Sequence, residues 1–136
     1  MPRGYCQRHG RQFGPCSCSL GKLSRLVEPI LLYLLARGEP SYGYDLMEKA
    51  RRLALTDTEI DPGVVYRTLR MLEQAACVRS YWEPGPGGPD RRIYELTGAG
   101  HEHLQDWATV MERVGSHMAD LAQACRELEQ ERAPTA

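Results

Sequence analysis

The sequence of 136 residues has no apolar run long enough to cross a bilayer. Its longest, Ile30 to Ala36, is seven residues, where about twenty are needed. No basic segment followed by an apolar stretch and a small-residue cleavage site opens the chain, so secretion is not expected and a cytoplasmic location is. The five cysteines are an odd set, which favours reduced thiols over a disulfide framework. Surplus positive charge is also lacking: 17 basic side chains face 18 acidic ones, for a net charge of −1. Bulk attraction to a polyanion is thus excluded, and any nucleic-acid contact must depend on where individual arginines sit. Finally, no nucleophile, base and orienting group fall at a recognisable spacing, and no glycine loop is built to cradle phosphate. An enzyme is not expected.

What is present is the composition of a globular chain, 42% hydrophobic and 26% charged, long enough to bury a core unaided. Charge is graded along it. Residues 1 to 27 carry five basic groups and no acid, residues 28 to 97 nine and eleven, and residues 98 to 136 three and seven. The first 23 residues, rich in Gly, Pro and Ser, read as a tail with no helical or strand period. Within it Cys6, His9, Cys16 and Cys18 are spaced to close around one zinc ion, although Cys-x-Cys is tighter than the usual zinc spacer. The same residues also suit a thiol redox switch, or simply a basic arm that reaches a DNA minor groove.

Regular structure is expected from near Val27 onward. Val27, Ile30, Leu31, Leu34 and Leu35 follow helical spacing, and Gly38 and Pro40 end that helix. Ser41 is a candidate cap for a second helix that turns Leu46, Met47, Ala50 and Leu53 inward. The stretch Pro62 to Ala76 is the centre of the chain. Asp61 supplies a capping oxygen, Pro62 suits the first helical position, and Val65, Leu69 and Leu72 form one apolar stripe. Tyr66, Arg67 and Arg70 point the other way, giving a face that is cationic and aromatic.

After Ala76 the period changes from helical to two. Val78 to Glu83 alternates as a strand, and residues 84 to 92, PGPGGPDRR, hold too many prolines and glycines for helix or central strand. Ile93 to Leu96 reads as the returning strand, leaving a stiff hairpin tip bearing Arg91 and Arg92, suited to bracketing phosphates. From Thr97, a candidate cap, a helix is expected to run to about Arg132. Its seam of Leu104, Trp107, Met111, Val114, Met118, Leu121, Cys125 and Leu128 alternates three- and four-residue steps. A narrow stripe of that length calls for a second copy of the chain. Trp107 and Met111 also suit an apolar cleft for a small planar ligand.

These pieces resemble the PadR family of bacterial transcriptional regulators over roughly residues 27 to 128. The likeness rests on Ser41-Tyr42-Gly43-Tyr44, on Pro62-Gly63-Val64-Val65-Tyr66-Arg67-Thr68-Leu69 with Leu72-Glu73, and on Gly87 through Thr97 followed by Gly100. It implies a mainly α fold with a small β-hairpin, a winged helix-turn-helix carrying a long C-terminal dimerisation helix. It also implies DNA contacts at Tyr66, Arg67, Arg91 and Arg92, with Tyr42 near the backbone. The chain departs from the family pattern at Val64, where a small hydroxyl residue is frequent, and at Ala76, where a glycine usually ends the third helix.

The resulting expectation is three segments: a tail over 1–23, a DNA-binding domain over 24–97 and a dimerisation helix over 98–136. The function expected is a dimeric repressor of double-stranded DNA at an inverted repeat, with Arg67 or Arg70 reading guanine. A small apolar or aromatic inducer, metal or oxidation would release it, and no membrane is involved. The alternative is a metal-binding or thiol redox protein on a helical dimer scaffold.

Overall fold

Leu31, Leu32, Leu46, Val65, Leu69 and Val78 are the largest fully buried side chains, and three helices and a sheet are assembled around them. The computed structural model describes residues 26–38, 40–53 and 60–132. In chain order the elements are α1 (Val27–Arg37), β1 (Ser41–Tyr42), α2 (Gly43–Arg52), α3 (Pro62–Gln74), β2 (Val78–Glu83), β3 (Arg91–Leu96) and α4 (Gly98–Arg132). Two compact units result, Met1–Leu104 and Gln105–Ala136.

In the first unit α1 packs on α2, α3 and β3. Its buried set is Val27, Pro29, Ile30, Leu31, Leu32 and Leu35, wider than the stripe that helical spacing suggests. Leu32 is fully buried while Leu34 is only half-buried. Each fully buried Leu or Val contributes about 1.5–3 kcal/mol, so this one helix supplies much of the core. Its end at Gly38 is extended, with φ −104° and ψ −174°.

Asp61 caps α3 as its position suggests, Oδ1 accepting from the Gly63 N–H at 2.9 Å, with Pro62 at the first position. Val65, Thr68, Leu69 and Leu72 are its buried face. The far end closes by paired bonds: Cys77 N–H donates to Leu72 O at 2.9 Å and Ala76 N–H to Glu73 O at 3.0 Å. That is the Schellman pattern, and it puts the residue at its turning point in the left-handed region. Ala76 has φ +61° there, the strain expected where glycine is absent.

Two sequence-based expectations need correction. Ser41 is not at the cap position of α2, which is Tyr42, with no side-chain cap bond of its own, because Ser41 and Tyr42 are drawn into a strand. β1 pairs antiparallel with β3, Ser41 with Tyr94 and Tyr42 with Ile93, so the hairpin is part of a three-stranded sheet ordered β1-β3-β2. Leu53, expected inward, is 39% exposed, since it lies just past the last turn of α2.

Thr97 caps α4, its Oγ1 accepting from Gly100 N–H at 3.1 Å while donating to Ala76 O at 2.6 Å. The same residue's N–H donates to Cys77 O at 3.0 Å. Gly100 is needed at this joint, because a Cβ there would lie 2.1 Å from Cys77 O. His103 Nε2 and Glu28 Oε1, 2.5 Å apart, tie the same turn region to α1. From Glu112 to Arg132 every residue of α4 is exposed. The arrangement is a winged helix-turn-helix followed by a long C-terminal helix.

Candidate nucleic-acid interface

Helical spacing sorts α3 into two faces, and burial follows it. Val65 and Leu69 are fully buried, whereas Tyr66, Arg67 and Arg70 are exposed. Among the described residues Arg67 and Arg70 enter no ion pair. Their planar guanidinium forks are of the kind that suits guanine edges or phosphate. Thr68, by contrast, spends its hydroxyl on Val64 O at 2.7 Å.

Tyr66 lies against the start of α2. A Cβ on Gly43 would come within 2.8 Å of Tyr66 Cε1, which accounts for the glycine in Ser41-Tyr42-Gly43-Tyr44. Around this contact is a concavity of about 460 Å³ lined by Tyr42, Tyr44, Tyr66, Tyr94, Asp45, Arg91 and Arg92. Burial raises the Tyr94 phenol above its ordinary range. The hydrogen bond to Glu83 raises that of Tyr42, with burial adding to it. Both remain hydrogen-bond donors at neutral pH.

The wing differs from its expected form in a way that separates its two arginines. β3 starts at Arg91, not Ile93, so both arginines sit in a strand opposite β2, Arg91 beside Glu83 and Arg92 beside Trp82. Successive strand residues point to opposite sides. Arg91 lies over the Tyr42 ring, 5.0 Å from its centroid. Arg92 turns toward α3 and is held there: Nη2 donates to Glu73 Oε2 at 2.7 Å and Nε to Ser80 Oγ at 2.9 Å. Ser80 in turn bonds Glu73 Oε1, and the Arg92 guanidinium lies 5.7 Å from the Tyr94 ring centroid. Glu73, Ser80, Glu83 and Tyr94 carry this geometry and were not singled out from the sequence as site residues. Cross-strand register would have found Glu83 and Ser80 had the strand been extended back to Arg91.

On α4, Trp107 and Met111 are half-buried, while Val114, Met118, Leu121 and Leu128 are 49–66% exposed. Cys6, His9, Cys16 and Cys18 lie outside the described residues. Among those described, no group of three or more His, Cys, Asp or Glu side chains is placed to hold a metal ion, and no helix is long and apolar enough to cross a membrane.

Comparison with known proteins agrees with this geometry. No curated protein matches the chain. A PadR-like transcription regulator structure from Bacillus cereus is similar at 25% identity and a TM-score of 0.62, over 74% of this chain and 95% of that one. A PadR family regulator from Eggerthella lenta is similar at 22% identity and 0.62, over 78% and 90%. One from Clostridium difficile gives 20% and 0.60, over 71% and 97%. The model of the transcriptional regulator PadR-like family matches residues 31–106, more than half the chain. The chain therefore belongs to the PadR-like family of transcriptional regulators, and its winged helix-turn-helix is that of a DNA-binding regulator.

Proposed function

We propose that the protein is a dimeric repressor in which residues 24–97 read double-stranded DNA and residues 98–136 pair with a second copy. The observation that carries the first half is Arg67 and Arg70 beside Tyr66 on the outer face of α3, exposed and without an ion pair among the described residues. A helix so presented enters a major groove, where guanidinium forks reach base edges. Arg91 and Tyr42 then meet the backbone. Arg92, engaged with Glu73, braces the wing and sets register through it. Support for the second half comes from the apolar stripe exposed along α4, which two helices bury against each other as a coiled-coil seam.

Two copies related by a two-fold axis place two recognition helices on an inverted repeat, one turn of DNA apart. Release is assigned to a small apolar or aromatic molecule at Trp107 and Met111, both half-buried on α4. Metal or oxidation at Cys6, His9, Cys16 and Cys18 is the second route. Footprinting on the DNA upstream of the chain's own coding region tests the reading, alongside the molar mass in solution. Paired protections about ten base pairs apart by a species of twice the chain mass are expected. A monomer, or protection of a single half-site, contradicts it.

A further inference from the structure

Strand register brings three side chains of opposed chemistry to one side of the sheet. Tyr42 pairs with Ile93, two residues from Arg91, and Arg91 pairs with Glu83. Alternation therefore puts Tyr42, Arg91 and Glu83 on the same face. The side chains meet: the Tyr42 hydroxyl donates to Glu83 Oε2 at 2.8 Å, and Arg91 stacks over the Tyr42 ring at 5.0 Å. A phenol donor and a guanidinium, the groups that grip a phosphate, thus share their surface with a carboxylate.

We propose that Glu83 is an internal competitor for DNA phosphate, holding the Tyr42 hydroxyl in a self-satisfied state and setting a negative charge on the face that Arg91 shares, until DNA displaces it. The inference rests on the reading of Arg91 and Tyr42 as backbone contacts. A carboxylate and a phosphate oxygen are both anionic acceptors, so one hydroxyl hydrogen cannot serve both at full strength. A phosphate approaching Arg91 also meets the Glu83 charge on the same face, and like charges at that range repel. Glu83 therefore lowers affinity for any duplex. Base contacts from α3 are what make up the difference at a matched site.

The test is fluorescence anisotropy with full-length protein and two labelled duplexes, one from upstream of the coding region and one scrambled. Glu83→Gln keeps an acceptor for Tyr42 and removes the charge. It is expected to tighten binding to both duplexes by about three- to tenfold at 50 mM salt, with a smaller gain at 200 mM. Asp90→Asn removes one charge from the same hairpin without touching Tyr42, and is expected to change affinity less than about twofold. In an Arg91→Ala background the gain from Glu83→Gln should disappear. Equal gains from Glu83→Gln and Asp90→Asn, no gain from Glu83→Gln, or a gain surviving Arg91→Ala would each overturn the proposal while leaving DNA binding intact. A wild-type chain with no salt-dependent affinity for either duplex would overturn it together with the functional reading.

Discussion

Arg92 Nη2 lies 2.7 Å from Glu73 Oε2, joining the last turns of α3 to the returning strand of the wing. Ser80 bonds both partners, so α3 and the wing are tied by one shared set of hydrogen bonds. Both side chains are partly exposed, at 37% and 29%, and the pair is accordingly screened. Glu73→Gln is expected to cost about 1 kcal/mol in urea unfolding. A larger effect is expected on DNA affinity, because the wing is no longer held in register with α3. Restoration of part of that affinity by the exchanged pair Glu73→Arg with Arg92→Glu is the check. No recovery would mean that the contact acts through something other than the pair.

Ala76 is the one non-glycine residue with positive φ among those described, and the backbone bonds around it are those that glycine usually accompanies. Ala76→Gly removes a steric penalty of about 1–2 kcal/mol and adds unfolded-state entropy worth about 0.5–1 kcal/mol. A net gain of roughly 0.5–1 kcal/mol is expected by thermal or urea unfolding. A loss would show that the left-handed turn is relieved elsewhere.

Gly100 offers the opposite case. A methyl group there meets backbone at 2.1 Å, Cys77 O, as well as Leu96, and neither the turn nor the helix start can yield cheaply. Gly100→Ala is expected to destabilise the first unit by about 1–3 kcal/mol, read as a lowered urea midpoint. It should leave the far end of α4 helical by circular dichroism.

Much of this architecture is legible in the sequence, and the exceptions have physical causes. Asp61 and Pro62 mark the start of α3, and Thr97 that of α4, because caps are local chemistry. The faces of α3 follow from a period of 3.6. β1 is hidden because two residues are too few to display alternation, and because their partner strand is about fifty residues away in the chain. Arg91 and Arg92 look equivalent as neighbours in a loop. Only the pairing with β2 makes them strand residues with opposite duties. Nothing in the residue pattern separates Glu73 from any other solvated helix glutamate until Arg92 is brought to it.

Cys77 is 7% exposed, and burial, followed by the charge of Glu28, raises its thiol pKa. The neutral thiol is therefore favoured in the folded chain. Its contribution to stability is complete below the unfolded thiol pKa and is lost as pH rises through that value toward the folded one. Mass-mapped alkylation at pH 7.5 should leave Cys77, which is buried, unmodified in the folded chain. Labelling of Cys77 should appear with unfolding in urea. Modification of Cys77 in the folded chain as fast as in urea would contradict its burial.

The most direct measurement is a binding titration of the wild-type chain and the double variant Arg67→Ala, Arg70→Ala against duplex DNA from upstream of its coding region, at 50 and 200 mM salt. Wild-type affinity is expected to fall by orders of magnitude between the two salts, as phosphate contacts dictate. The variant should bind at least about tenfold more weakly at the lower salt. Equal affinity of the two proteins, or binding indifferent to salt, would contradict a reading head built on the outer face of α3.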